Sequence, residues 1–356
     1  MKTRFTFPTQ WLSVILAATL VAVTSAGAAA QESPLADEEK RIDLATDRGL
    51  DSLARIQEAD GSWPSGYGKD TAITSLAVMA FLAKGHVPGE GPYGERVSKG
   101  VEFVLAQAQN NGLLAAPRAV SQGPMYSHGI STLMLAEVSG MCDDALAAKV
   151  RPVLQNAVKL TLAAQKVKRQ QAAQQGGWRY QPSSNDSDIS CSGWQLMSLR
   201  AAKNGGADVP ASAIEEAVGY VKRSTCDRGG FAYQPGGGPN RSRTGTGILS
   251  LEICGRHHEP EALAGADYLL QNPPKWNDEF FYYGAYYCAQ AMFQVGGRYW
   301  EVEQPRLESL LLSLQGPDGS WPVGRSSEER AGAAYSTSMA VLALSVKYHY
   351  LPIYQR

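Results

Sequence analysis

The sequence predicts an all-α protein in which six helical hairpins close into a double ring, an (α/α)6 toroid. Three observations predict it: a Gly-x-aromatic turn recurs along the chain, a nearly uncharged helical segment follows each copy, and the first copy matches the last. In the first unit an apolar helical pattern, Leu50, Leu53, Ile56 and Gln57, runs into Asp60-Gly61-Ser62-Trp63-Pro64 and then an apolar helix over 71–84. The second unit is a weaker copy over 101–114, followed by a helix over 128–139. The third carries Gly176-Gly177-Trp178-Arg179-Tyr180-Gln181-Pro182 before a helix over 189–203. Its Lys/Gln/Ala-rich stretch 165–175 reads as an extension of the outer helix, with Lys166, Lys168 and Arg169 on a solvated face. The fourth repeats that turn 53 residues later as Gly229-Gly230-Phe231-Ala232-Tyr233-Gln234-Pro235, before a helix over 244–254. A weak fifth copy lies over 266–276, with its helix over 284–295. The sixth returns to Leu310, Leu311, Leu314, Gln315 and Asp318-Gly319-Ser320-Trp321-Pro322, then a helix over 336–347.

The second helix of each hairpin is built from Ala, Leu, Met, Val, Ser and Thr with few charges on any face, so it belongs inside. The first helices carry one charged side, as Asp51, Arg55 and Glu58 do beside Leu50 and Leu53, and belong outside. Likeness of the terminal copies favours a closed ring, because an open array has atypical caps. Glycine supplies the positive φ of the helix exit, the aromatic ring covers the junction between hairpins, and the Gln before the turn bonds its backbone.

Composition sets the class. The chain has 356 residues, net charge −1, 44% hydrophobic and 19% charged residues, too apolar for disorder and too neutral for a general nucleic-acid field. Lys2 and Arg4, an apolar run over 11–23 and Ala28-Ala29-Ala30 read as a secretory signal peptide over residues 1–30, cut near Ala30. The expectation is an exported protein of periplasm, envelope or surroundings, with no lipoprotein anchor and no membrane span after cleavage. The remaining organisation reads as a leader over 31–45, one toroid of six repeats over 46–350, and a tail over 351–356. Cys142, Cys191, Cys226, Cys254 and Cys288 are far apart and odd in number, which excludes a disulfide scaffold and leaves one bridge open.

The repeated Gln…Gly-x-Trp units before apolar helices resemble the repeats of squalene–hopene cyclases and protein prenyltransferase β subunits, over about residues 49–347. The resemblance implies a central apolar cavity suited to isoprenoid chains. In such a ring the inner helices start at one mouth, which here collects Asp70, His128, Asp188, Cys191, Arg243, Tyr282, Tyr283, Tyr286 and Tyr335, with Trp194 inside. Asp186-Ser187-Asp188-Ile189-Ser190 looks like the Asp-x-Asp-Asp-Thr motif of these cyclases. Asp188 then stands where the proton-donating Asp does and Asp186 where the first Asp does, while Ile189 replaces the next Asp. Read from the residues alone, Asp188 is equally a helix N-cap with Asp186 in the same dipole, an arrangement that lowers a carboxyl pKa. The prenyltransferase zinc site is not matched: Ser190 occupies its Cys place, and Arg243, Tyr283 and Tyr335 stand where a His is needed, so no metal and no cofactor is expected.

The leading expectation is therefore binding of a hydrophobic isoprenoid-like small molecule, with cyclisation by protonation as the chemistry Asp188 would serve. A non-catalytic envelope scaffold binding an unknown protein partner, and a carbohydrate-active enzyme on a similar ring, stay open, as does whether the chain is an enzyme. A nucleic-acid partner is not expected.

Overall fold

A computed structural model describes residues 34–117 and 123–355; the expected export signal over residues 1–30 lies outside the described residues. Among those described are twelve α-helices and four short 3-10 turns. Six helices form an inner ring: α2 (Thr71–Leu82), α4 (Pro124–Val138), α6 (Ile189–Asn204), α8 (Arg241–Ile253), α10 (Phe281–Val295) and α12 (Gly332–Leu344). Six form an outer layer: α1 (Pro34–Ile56), α3 (Gly94–Ala106), α5 (Asp144–Gln165), α7 (Ala211–Arg223), α9 (Pro260–Gln271) and α11 (Gly297–Leu314). Each inner helix packs on the next, and α12 packs on α2, so the ring closes. The inner helices are buried nearly all round; every residue of α2 is. The outer ones bury one stripe, in α3 Val97, Gly100, Val101 and Val104. No helix among the described residues is long and apolar enough to cross a membrane.

The repeated turn explains the closure atom by atom. Gln57 donates to the carbonyls of Gly61 and Arg96, the latter on α3. Gln315 donates to those of Gly319 and Ala45, the latter on α1. The indole N–H of Trp63 donates to Leu53 O and that of Trp321 to Leu311 O, both at 2.8 Å. Gly61, at φ +89°, lies so close to the next outer helix that a Cβ would sit 2.2 Å from Lys99 O. Gly319, at φ +83°, stands in the same relation to Arg48 O at 2.3 Å. The junction between sixth and first units thus repeats the one between first and second: a side chain at either glycine would meet both a left-handed backbone and a neighbouring carbonyl.

Four sequence boundaries shift. Helices α4, α8, α10 and α12 begin three or four residues before the expected 128, 244, 284 and 336, for example where Pro124 opens α4 and Asn240 caps α8 through a 2.9 Å bond to the Arg243 N–H. The expected extension over 165–175 is absent: α5 ends at Gln165, whose amide reaches Gly176 O and Ala213 O. Arg169 is not on a solvated face either. It is buried, its guanidinium bonded to Ser187 Oγ and to the carbonyls of Ala164, Val167, Gly177 and Ser184, so one side chain satisfies the irregular loop. Residues 34–45, set apart above as a leader, are continuous with α1 and bury Ile42 and Ala45. The tail does not trail away: Leu351, Ile353 and Tyr354 are buried. The five cysteines are unbridged.

Candidate functional site

The N-terminal ends of the inner helices surround a cavity of about 370 Å³. Ile73 and Leu76 of α2, Ile130 of α4 and Trp194 of α6, each within two turns of its helix start, form an apolar floor. Tyr67, Tyr126, Tyr180, Tyr233, Tyr283 and Tyr335 line the walls, and Asp70, Arg243, Glu279 and Glu328 supply the charge. Of the expected mouth residues, Asp70, Trp194, Arg243, Tyr283 and Tyr335 line this cavity.

Asp70 is the N-cap of α2. Its Oδ1 accepts the Ala72 N–H at 2.7 Å and the Ser127 hydroxyl at 3.0 Å. Burial pushes its pKa up to about 6, against the pull of those two bonds. Glu328 does for α10 what that helix cannot do for itself. Phe280, at the cap position, lies in the left-handed region without a side-chain cap, and Glu328 instead accepts the Tyr282 N–H at 3.1 Å and the Tyr283 N–H at 2.9 Å. It also accepts the Tyr335 hydroxyl at 2.9 Å, and burial raises its pKa against these bonds. Tyr283 exchanges a 2.8 Å hydroxyl bond with Thr246, and the Arg243 guanidinium lies over the Tyr233 ring at 5.3 Å.

Asp188 has the geometry of the capping reading: its Oδ1 accepts the Cys191 N–H at 2.8 Å. It is fully buried but absent from the cavity lining. The Arg179 guanidinium, 3.7 Å from its Oδ2, lies over the rings of Tyr180 (4.4 Å) and Tyr233 (5.2 Å), and the hydroxyls of these tyrosines meet to form that wall. The lowering that a cap implies does not occur, and the pKa moves in the direction that the acid reading requires. Burial outweighs the Cys191 N–H and Arg179 and pushes it up to about 7. Asp186 is partly exposed, 3.4 Å from Arg179 and from the Gln234 amide.

Four other expected rim residues lie away from the cavity. His128 is fully buried: its Nδ1 accepts the Leu114 N–H at 3.2 Å, so Nε2 carries the proton toward Thr161 Oγ1 at 2.9 Å, and burial lowers its pKa to about 4. Cys191 turns its thiol to Arg179 O at 3.1 Å, and burial raises its pKa well above the usual thiol range. Tyr282 reaches Pro322 O at 2.8 Å and packs edge-on to Trp276. Tyr286 is screened from the cavity by Trp194, on which it stacks with ring centres 5.6 Å apart and planes 9° from parallel.

Among the lining residues outside the expected mouth set, Tyr233, partner of the Tyr180 that stands near Asp188 in the sequence, and Glu328 carry readable signals. Tyr180 and Tyr233 hold equivalent places in the third and fourth turns, so their meeting follows from the repeat. The start of α10 has no Ser, Thr, Asp or Asn at its cap, which calls for an acceptor from elsewhere, here Glu328. Tyr67 and Glu279 sit in loops with no such signal.

No protein-family model and no curated protein matches the chain. Among solved structures it is similar to a protein from Actinoplanes, at 16% identity and a TM-score of 0.56 over 86% of this chain and 99% of that one. It is similar to a glycosidase in complex with glucose, at 13% and 0.57 over 89% and 98%. A type II terpene cyclase from Scytonema matches at 14% and 0.38 over 88% and 99%. At such identities the likeness to the first two is one of fold alone, an all-helical arrangement, with no subfamily singled out.

Proposed function

We propose that the ring binds a small hydrophobic, isoprenoid-like molecule in the central cavity, its apolar part on the floor and its polar end among the tyrosine hydroxyls, outside the cytoplasm after export. The observation that carries this reading is a single cavity that combines an aliphatic floor, aromatic walls and the buried carboxyl of Asp70. Its volume is near the lower end of the ~300–1,000 Å³ range of small-ligand sites, which favours a short ligand over a polymer. Asp70, rather than Asp188, is the acid in reach. A carboxyl titrating near 6 holds its proton more firmly than an ordinary Asp and can pass it to an alkene, leaving a cation over the faces of Trp194 and Tyr283. Asp188 then serves as a positioning residue, holding Arg179 against the tyrosine wall.

A second reading is favoured by the presence of both Asp70 and Glu328 in the lining, since glycoside cleavage uses two carboxyl groups. Displacement of a cavity-bound anilinonaphthalene sulfonate separates the two. Displacement by a terpenoid alcohol, weakened in Trp194→Ala, supports the first reading. Displacement by glucose alone supports the second. A dye that neither competitor moves, or that Trp194→Ala binds unchanged, refutes both and leaves a scaffold.

A further inference from the structure

The inner helices are 12 to 16 residues long, so the ring is about 18–24 Å deep. The cavity uses only its upper part. Its deepest lining residues, Leu76, Ile130 and Trp194, are the sixth or seventh of their helices, about 8–9 Å below the helix starts. At the same level Trp194 stacks on Tyr286, the sixth residue of α10, and the Tyr286 hydroxyl meets the hydroxyl of Tyr354.

Tyr354 arrives from the other mouth. After α12 the chain makes one 3-10 turn, reverses at His349 with φ +55°, and re-enters as a second turn, Pro352–Tyr354. Two side chains at the far ends of their helices hold it. Glu137, next to last in α4, accepts the Ile353 N–H at 3.2 Å, and Gln294, next to last in α10, donates to Tyr354 O at 3.1 Å. Helices α4 and α10 face each other across the ring, so a segment bonded to both stands in its middle. Leu351, Ile353 and Tyr354 are buried there.

We infer that the C-terminal segment 351–355 is a built-in plug that sets the depth of the ligand cavity, with Tyr354 as the residue that limits how long an apolar ligand the ring accepts. The inference rests on the cavity-binding reading above. The central space of a toroid is continuous from mouth to mouth. Here the upper part is left to a ligand and the lower part is filled by residues 351–355, with Tyr354 backing the Trp194–Tyr286 stack that forms the partition. A repeat ring needs no such element to close, because α12 already packs on α2. Shortening the tail would therefore lengthen the hollow without opening the ring.

The test uses straight-chain alcohols of increasing length as competitors for the naphthalene-sulfonate dye, on the full chain, on a chain ending at Tyr350, and on Tyr354→Ala and Tyr354→Phe. In the full chain, affinity stops rising once the alkyl chain reaches the partition. In the shortened chain and in Tyr354→Ala the Tyr286 ring loses its backing and moves down into the vacated space, so each further methylene tightens binding by about fourfold, the gain from burying one CH₂. Tyr354→Phe, which keeps the ring and loses only the hydroxyl bond, retains the full chain's length limit. If the shortened chain does not fold, the two point variants decide. An unchanged limit in Tyr354→Ala overturns the plug while leaving the cavity reading standing. Absence of alcohol binding in every protein overturns both.

Discussion

Replacing Asp70 by Asn tests the buried acid directly. The wild-type carboxyl titrates at about 6 in the folded chain against 3.8 as its ordinary value. A shift of this size corresponds to a penalty on the order of 3 kcal/mol for holding the charge in the fold. The sign follows from proton binding. Below about pH 4 Asp70 is protonated in both states and costs nothing. Between about 4 and 6 the unfolded chain releases the proton more readily, so stability falls as pH rises, and the full penalty is present at neutral pH. Asn keeps an oxygen to accept the Ala72 N–H and the Ser127 hydroxyl, so the cap survives while the titration disappears. Asp70→Asn should therefore match wild type near pH 4 and exceed it by up to about 3 kcal/mol at pH 7. Urea unfolding of both proteins across this range measures the difference. Taking the difference removes the other raised carboxyls, Asp188 at about 7 and Glu137 at about 8, which contribute equally to both curves. Parallel curves, or a variant less stable at neutral pH than at acid pH relative to wild type, would refute the placement of a desolvated carboxyl at the cavity and with it the acid role of Asp70.

Two further substitutions probe the scaffold. Gly319→Ala should lose about 2–4 kcal/mol, combining the left-handed backbone with the overlap on Arg48 O, whereas Gly236→Ala, at a similar φ of +88° with open space around it, should lose about 1; equal losses in urea unfolding would mean that the sixth and first units are not in contact. Arg169→Ala strands several buried carbonyls and should cost at least about 3 kcal/mol, and Arg169→Lys should recover little because an ammonium cannot reach the same fan of acceptors; a thermal midpoint within a degree or so of wild type would contradict that role.

How far the site could be read from the residues differs between neighbours. Asp70 and Asp188 occupy the same cap position in two units, and both cap as expected, yet only Asp70 lines the cavity. The difference comes from Arg179 and the paired Tyr180 and Tyr233, which stand between Asp188 and the hollow. His128 was placed near a helix start, but α4 begins earlier, and the imidazole turns outward to Leu114 and Thr161 of the surrounding layer. A residue one place along a helix points about 100° away, so a boundary error of a few residues exchanges inside for outside.

The ring itself was legible because its determinants are local and repeated. Glycine at a helix exit with an aromatic two places on, present in four of the six units, and an apolar helix in every unit each act within a few residues, and their recurrence dictates the same packing step until it meets its own beginning. Which carboxyl reaches the hollow, which buried arginine organises an irregular loop, and how a short tail comes to fill the lower half of the ring were decided only in three dimensions. The last of these depends on groups far apart in the chain, Glu137 and Ile353 at a separation of 216 residues and Trp194 with Tyr286, being brought into contact, and no local pattern encodes such a meeting.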